Sequence, residues 1–255
     1  MTLAGIIADA KRELVKRLVL VRGEVVSAVR HVRPGAPVLL LWLVLVSGLA
    51  VLTGFAAGAE FFSWDLWLAR KIQAIDLPGF TSATTLATDL SSANASVLWF
   101  LGSVVGLILL RQFRLAFFAA AAIWTHLIGG GLKLVVDRMR PSPELLERVS
   151  LEERLSYPSG HTEWVVGFEG FLVFAIWQLT ANRFIRYTAA AAWAVHVALT
   201  GVGRIDQGLH WPSDVLAGLL VGALALSGTV WAYLASKRAA ASAAEEATIP
   251  SPLVV

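Results

Sequence analysis

The chain has 255 residues, of which 57% are apolar and 15% are charged, and its formal net charge at pH 7 is +3. An ordinary soluble domain carries about 25% charged residues, so this composition is typical of a protein embedded in lipid. The absence of cysteine excludes disulfides, thiolate metal ligands and cysteine nucleophiles. Five histidines without clustering do not indicate a structural zinc site, and the small net charge does not indicate a nucleic-acid partner.

Residues 1–36 are predicted to form an amphipathic helix on the cytoplasmic surface of the membrane. Basic residues fill its other faces, which is typical of a helix lying on an anionic leaflet. The alternative is a helix packed on the membrane bundle or on a second subunit. The segment is too polar and too long for a cleavable signal peptide. Its apolar residues recur at spacings of three and four: Leu3, Ile6, Ile7, Ala10, Leu14, Leu18, Val21 and Val25.

Six apolar segments are predicted to span the bilayer, whose core requires about 20 residues of helix. They are 37–58, 97–110 with the preceding small residues 93–96, 115–136, 162–179, 187–202 and 215–235. The stretch 61–75 is apolar too, but charged residues interrupt it, and we interpret it as an interfacial segment. The sequence therefore predicts an all-α, six-transmembrane-helix bundle over residues 37–236, followed by a disordered cytoplasmic tail, 237–255.

The distribution of lysine and arginine predicts the orientation of the bundle, because loops rich in these residues stay in the cytoplasm. Six spans place both termini on one side, and that side collects most of the basic residues. It holds Lys11, Arg12, Lys16, Arg17, Arg22, Arg30, Arg33, Arg111, Arg114, Arg183, Arg186, Lys237 and Arg238. We therefore expect a multi-pass protein of the inner (plasma) membrane with both termini cytoplasmic. Three polar motifs then face the extracytoplasmic side.

The first motif, Lys133-x6-Arg140-Pro141, places two cations at the end of the third predicted span. Residues seven apart on a helix lie two turns apart on nearly the same face. Because proline disfavours helix at the residue before it, the span should end near Arg140. Two cations on one face suit a phosphate, and the planar arginine fork can hold two of its oxygens. The alternative is that long basic side chains simply reach out to the membrane surface.

The second motif, Pro-Ser-Gly-His at 158–161, stands directly before the fourth predicted span. Ser159 can cap the helix, and Gly160 lets the backbone approach an anion closely. His161 would then project beside that anion. Taken alone, a Ser-Gly turn before a helix is in most cases an ordinary helix cap.

The third motif, Arg204-x5-His210-x3-Asp214, lies at the start of the sixth predicted span. Asp214 can accept a hydrogen bond from one ring nitrogen of His210 and leave the other as a nucleophile, or the pair can serve only for capping. Arg204, placed upstream, can hold a phosphate oxygen.

Together the three motifs supply what phosphoryl transfer without a metal requires: fixed positive charge, a nucleophilic imidazole and a second imidazole that protonates the leaving oxygen.

These three motifs resemble the signature of the type 2 phosphatidic acid phosphatase superfamily, and in particular its membrane branch of bacterial lipid phosphatases. The match runs from Lys133 to Asp214. The resemblance implies that His210 is the nucleophile and forms a phosphohistidine, that Asp214 orients it, and that His161 is the general acid. It further implies no metal and no other cofactor. The implied ligands of the phosphoryl oxygens are Lys133, Arg140, Ser159, the Gly160 amide and Arg204.

Some residues depart from this pattern or add to it. Gly203 stands where the family usually has serine, which removes a hydroxyl donor worth about 1 kcal/mol. Asp206, inside the third motif, adds negative charge beside Arg204, which could weaken phosphate binding or shape the choice of substrate. Glu163, in the fourth predicted span, is a candidate accessory residue that could assist His161 or contact a headgroup. The alternative for Glu163 is a side chain that reaches the surface at the helix end. Structural roles are expected for three other polar residues inside the spans: Glu169, His126 and His196.

The hypothesis that accounts for all three motifs is an integral membrane phosphatase that acts on a lipid phosphate or pyrophosphate. Undecaprenyl pyrophosphate, phosphatidylglycerol phosphate, phosphatidic acid and diacylglycerol pyrophosphate are candidate substrates, and the sequence does not choose among them. One alternative is a lipid phosphotransferase that uses the same phosphohistidine. Another is a lipid-phosphate transporter or flippase that binds without hydrolysis. The expected partners are the lipid substrate and the bilayer, while the oligomeric state is left open.

Overall fold

The computed structural model describes residues 3–149 and 155–246, and every regular element in these two ranges is a helix. The predicted all-α fold is therefore confirmed. The helices are α1 (Leu3–His31), α2 (Ala36–Ala56), α3 (Ser63–Gln73), α4 (Phe80–Leu90), α5 (Ala93–Leu109), α6 (Phe113–Ala121), α7 (Trp124–Val136), α8 (Gly160–Trp164), α9 (Gly170–Leu179), α10 (Arg183–Asp206) and α11 (Pro212–Glu246). A π-helical turn, Val165–Glu169, joins α8 to α9.

Several helical stretches are long and apolar enough to cross a bilayer. Within the described ranges there are three such stretches: α2, the stretch Phe113–Val136 that comprises α6 and α7, and α11. A fourth results if α4 and α5, which meet at a bend of 54°, form one span. The other two predicted spans correspond to the stretch from α8 to α9 and to α10. These helices indicate a membrane protein, and the count of six stays a prediction.

The last helix, α11, corrects the predicted tail. Its 35 residues extend over about 50 Å at 1.5 Å per residue, which exceeds the thickness of a bilayer core. The helix continues to Glu246, so residues 237–246 are helical and not disordered as predicted. The physical reason is that alanine and glutamate, which dominate this stretch, are strong helix formers. Residues 247–255 of the predicted tail lie outside the described part.

The N-terminal helix α1 packs along α11 and α6. Val21 and Ala28 are buried in this contact, and Glu24 forms an ion pair with Arg114 at 2.5 Å. Its C-terminal half therefore follows the alternative of packing on the bundle. Further toward the N-terminus, Ile7 is 59% exposed, which leaves apolar surface on this helix. Its placement on the cytoplasmic leaflet stays a prediction.

Two glycines of α11 allow the second motif to approach the third. A Cβ atom at Gly218 would lie 2.7 Å from the carbonyl oxygen of Ser159, and one at Gly222 would lie 2.6 Å from the Cβ of Val166. Because neither glycine has a side chain, α8 and the π turn contact the α11 backbone directly. The amide of Ser159 consequently donates a hydrogen bond to the carbonyl oxygen of Asp214 at 3.0 Å.

The segment predicted as interfacial forms α3, which packs against α10 and α11. Asp65 and Ala69 on its inner face have no exposed surface, and Ile72 belongs to an apolar cluster that also contains Trp211. The helix therefore covers the connection that carries the third motif, and its charged interruption at Asp65 points inward.

Candidate active site

The three motifs meet around one cavity of about 1080 Å³. The first motif runs from the last turn of α7 into the segment that follows, the second forms the start of α8, and the third runs from the end of α10 to the first turn of α11. Six of the predicted site residues line this cavity: Lys133, Arg140, Gly160, His161, Arg204 and His210. Ser159 and Asp214 lie behind its wall with no exposed surface. The fold thus gathers residues that lie more than 70 positions apart in the chain.

His210 stands in the short connection between α10 and α11 and is 2% exposed. The chain reverses at Gly208, whose φ of +63° favours glycine, and the amide of His210 then donates to the carbonyl oxygen of Arg204 at 3.2 Å. Burial, followed by the positive charges of Arg204 and Arg140, lowers the pKa of His210 well below its usual range. The ring is therefore neutral near pH 7, which is the state that a nucleophile requires.

Asp214 lies next to His210 but is bonded to other groups. Its Oδ2 is 3.6 Å from Nδ1 of His210, beyond ordinary hydrogen-bond distance. The same oxygen accepts hydrogen bonds from the Trp211 amide at 2.8 Å and from the Ser156 hydroxyl. The carboxylate thus holds the backbone of the loop on which His210 stands. Direct orientation of the ring by Asp214 stays a prediction.

A buried arginine that the sequence analysis missed holds Asp214 from the other side. The side chain of Arg138 is 1% exposed and has four hydrogen-bond acceptors. They are the Glu60 carbonyl oxygen at 3.0 Å, Ser213 Oγ at 2.6 Å, Asp214 Oδ1 at 2.8 Å and Asp65 Oδ2 at 2.9 Å. Arg138 therefore stands between two buried carboxylates and links α3 to the start of α11.

Two features of the sequence could have revealed this network. Arg138 lies inside the first motif, two residues before Arg140. The predicted end of the span near Arg140 does not account for this additional arginine. Asp65 is an acidic residue within an otherwise apolar stretch, and such a residue is usually paired or functional. The carboxylate of Asp65 also accepts hydrogen bonds from the amide and the hydroxyl of Ser213 at 2.8 and 2.7 Å.

The cations of the first motif connect the loops of the other two motifs. Nζ of Lys133 donates to the carbonyl oxygen of Pro158 at 2.7 Å. Arg140 donates to the carbonyl oxygen of Leu209, and its Nη1 lies 3.5 Å from Nε2 of His210. Both side chains also line the cavity. They therefore position the loops that carry His161 and His210, and they contribute positive charge where a phosphate would bind.

The second motif presents His161 but turns Ser159 away. The Ser159 hydroxyl accepts a hydrogen bond from Thr162 Oγ1 at 3.0 Å, so contact of this hydroxyl with a phosphate stays a prediction. Gly160 and His161 do face the cavity. Burial, followed by the positive charge of Arg204, lowers the pKa of His161 to about 3. The ring is therefore neutral near pH 7 unless an anion offsets the neighbouring charge.

Binding of an oxyanion is expected to draw a proton onto His161, because the anion offsets the charge of Arg204 and raises the lowered pKa toward its ordinary value. Sulfate is a suitable probe since it does not titrate near neutral pH. Calorimetry in buffers of different ionisation enthalpy should show proton uptake that grows as the pH falls from about 7 to about 5. The variant His161→Gln should lose most of this uptake. Sulfate binding without proton uptake over this range would contradict the expectation.

The structure explains both departures in the third motif. A Cβ atom at Gly203 would lie 2.9 Å from the carbonyl oxygen of Thr84, so the close approach of α4 leaves no room for serine. Asp206 is 1% exposed and forms an ion pair with Arg148. Its charge is therefore compensated by an arginine of the segment between α7 and α8, and Asp206 is not among the residues that line the cavity.

Two comparisons with known proteins agree with this geometry. The sequence profile of the PAP2 superfamily matches residues 112–238, which include all three motifs. The fold is similar to the crystal structure of the first transmembrane PAP2-type phosphatidylglycerolphosphate phosphatase from Bacillus subtilis. The TM-score is 0.59 at 19% sequence identity, and the alignment covers 81% of this chain and 98% of that chain. The comparison with curated proteins gave no match.

Proposed function

Since this chain belongs to the PAP2 superfamily and has a membrane phosphatase fold, we propose that it hydrolyses a lipid phosphate through a phosphohistidine at His210. The observation that carries the proposal is the position of His210. It is buried, which lowers its pKa well below the usual range, and it shares a cavity with His161 and the cations Arg140 and Arg204. A neutral imidazole beside fixed positive charge can attack phosphorus while the charge stabilises the phosphoryl oxygens.

The reaction follows from these positions in two steps. In the first, His210 Nε2 forms a bond to phosphorus, the ester bond breaks, and protonated His161 gives its proton to the leaving oxygen. In the second, water attacks the phosphohistidine, neutral His161 takes a proton from that water, and the P–N bond breaks. The products are the dephosphorylated lipid and inorganic phosphate. Lys133, Arg140, Arg204 and the Gly160 amide would hold the phosphoryl oxygens throughout, without a metal or other cofactor.

The shape of the cavity supports a lipid as substrate. On α7 its wall comprises Gly130 and Gly131 between Leu127 and Leu134, which are 74% and 81% exposed. Two glycines leave a low rim, and the flanking leucines face outward where lipid chains would lie. A lipid could therefore keep its chains in the bilayer while its phosphate enters sideways. Such entry suits an active site at the extracytoplasmic interface of the inner membrane, with both termini cytoplasmic.

Phosphate release from a panel of lipids tests this function. The panel comprises phosphatidylglycerol phosphate, phosphatidic acid, diacylglycerol pyrophosphate and undecaprenyl pyrophosphate, presented in detergent to the purified protein with EDTA present. We expect release from at least one lipid that is unchanged by EDTA, because the cavity cations supply the charge a metal would supply. The B. subtilis protein is a phosphatidylglycerolphosphate phosphatase, so that lipid is the first to test.

Each contrary outcome of the panel has a distinct meaning. Loss of release in EDTA would contradict the metal-free mechanism. Release that requires an added acceptor lipid would favour phosphotransfer through the same phosphohistidine. Binding of the lipids without any release would favour a transporter.

A further inference from the structure

A third imidazole lines the catalytic cavity without a role in the chemistry above. His126, on α7, shares the cavity with His161 and His210. Its Nδ1 lies 2.9 Å from Oε1 of Glu163, which is in the first turn of α8. The side chain of Glu163 is 2% exposed, whereas that of His126 is 42% exposed. A buried carboxylate thus orients a ring that is accessible from the cavity.

The surroundings fix this pair in place. The ring of His126 stacks on that of Trp164 with centroids 4.8 Å apart and planes 4° from parallel. A Cβ atom at Gly129 would lie 1.8 Å from Oε2 of Glu163, so only glycine leaves room for the carboxylate. Among the described residues, that oxygen has no hydrogen-bond partner. Burying a carboxylate without a full set of hydrogen bonds costs free energy. A carboxylate that is nevertheless buried and held in one geometry is typical of a functional site.

A second His–Glu pair, formed by Glu169 of the π-helical turn and His196 of α10, shows the geometry of a purely structural role. Nδ1 of His196 lies 2.7 Å from Oε2 of Glu169, and its Nε2 lies 2.9 Å from the carbonyl oxygen of Ala87. Both ring nitrogens of His196 are therefore satisfied within the protein. In the described part of the chain His126 bonds only through Nδ1, so its Nε2 is available to a ligand.

The polarity of the cavity indicates what that ligand would be. Lys133 follows His126 by seven residues on the same face of α7, about 10 Å along the helix axis. A lipid whose phosphate lies at the cationic end would therefore place its headgroup near His126. The wall formed by α4, α5 and the end of α10 adds hydroxyl, amide and carboxylate groups: Thr88, Asp89, Ser92 and Gln207. These groups suit hydroxyls, and the charge of Asp89 disfavours a second phosphate.

We propose that His126, oriented by Glu163, accepts a hydrogen bond from a hydroxyl of the polyol that carries the scissile phosphate. The carboxylate holds the proton of the ring on Nδ1, which leaves Nε2 as the acceptor. This inference rests on the proposed phosphatase function and narrows its substrate class. A phosphate on a glycerol-type headgroup with a free hydroxyl is preferred to a phosphate on a hydroxyl-free lipid or to a pyrophosphate.

The test is a cycle of two enzymes and two substrates. The substrates are phosphatidylglycerol phosphate and the same lipid without the free hydroxyl of its headgroup glycerol, and the enzymes are the wild type and His126→Ala. We expect loss of the hydroxyl to lower kcat/KM by about tenfold in the wild type, the effect of one hydrogen bond, and by little in the variant. The variant His126→Gln, which retains an acceptor, should recover part of the discrimination.

Controls separate recognition from structure. The variant His196→Ala should show the full wild-type discrimination, whatever its effect on stability, because its ring lies in a different cavity. If the wild type prefers the hydroxylated lipid and His126→Ala shows the same preference, His126 is structural and the inference is wrong. Equal rates on the two lipids in the wild type would overturn it as well. Hydrolysis of neither lipid, nor of any other lipid phosphate, would instead contradict the proposed function.

Discussion

Replacement of His210 by alanine should lower kcat for phosphate release on the order of 10⁴-fold or more, because the group that attacks phosphorus is lost. Burial keeps this ring neutral and close to Arg140, and among the described residues that line the cavity only His161 and His126 are other imidazoles. Neither can take over the reaction without moving away from its place in the wall. Phosphate release at saturating lipid measures the effect.

The covalent intermediate gives a second measurement. A lipid with a radioactive terminal phosphate should label the wild type in an alkaline quench, which preserves phosphohistidine, and should leave His210→Ala unlabelled. The variant His161→Ala provides the contrast. Its first step should slow by about 10²- to 10⁴-fold on lipids but much less on an aryl phosphate, whose leaving group needs no proton. Labelled His210→Ala would show that the nucleophile lies elsewhere.

Replacement of Arg138 by methionine should destabilise the protein by about 3–5 kcal/mol, because it leaves two buried carboxylates without their common counter-ion. Asp65 and Asp214 both bond to this guanidinium and neither has exposed surface. Thermal unfolding in detergent should show a large decrease in the midpoint. Activity measured well below that midpoint should also fall, since Asp214 holds the loop that carries His210.

A matched control separates the buried network from the loss of any arginine. Arg70 is exposed and donates to the carbonyl oxygen of Leu145 at 3.2 Å, so Arg70→Met should change the midpoint only slightly. Neutralising one carboxylate in the double variant Asp65→Asn with Arg138→Met should recover part of the lost stability. Equal effects of Arg70→Met and Arg138→Met would show that the network does not stabilise the fold.

Much of the site could be predicted from the sequence because its chemistry lies in short, contiguous motifs. Lys133-x6-Arg140 and His210-x3-Asp214 are each read directly from sequence, although the helices themselves stop short of both pairs: α7 ends at Val136, before Arg140, and α11 begins at Pro212, after His210. The apolar segments likewise predicted the bounds of α2 and α5 to within about two residues, and the start of α11 to within three. What these predictions share is that each depends on residues close together in the chain.

The features that were missed depend on contacts between distant segments. Asp65 and Arg138 are 73 positions apart, and no local pattern shows that α3 folds back over the start of α11. His126 and Glu163 stand out in the sequence as polar residues of predicted spans, but their pairing depends on Gly129, which leaves room for the carboxylate. The helical end of α11 was missed for a different reason. Its Ala-rich composition was interpreted as disorder although the same residues favour helix.

The low glycine rim of the cavity on α7 suits a substrate that enters from the membrane, so the rate would follow the concentration of substrate within the leaflet and not its concentration in water. A substrate that enters sideways is supplied by two-dimensional diffusion within the leaflet, and its dephosphorylated product returns to the same leaflet. The rate would then depend on the fraction of membrane lipids that are substrate, and diluting the membranes in water would change it little. Phosphate alone would leave into the aqueous phase, which separates the two products by solvent and opposes the reverse reaction.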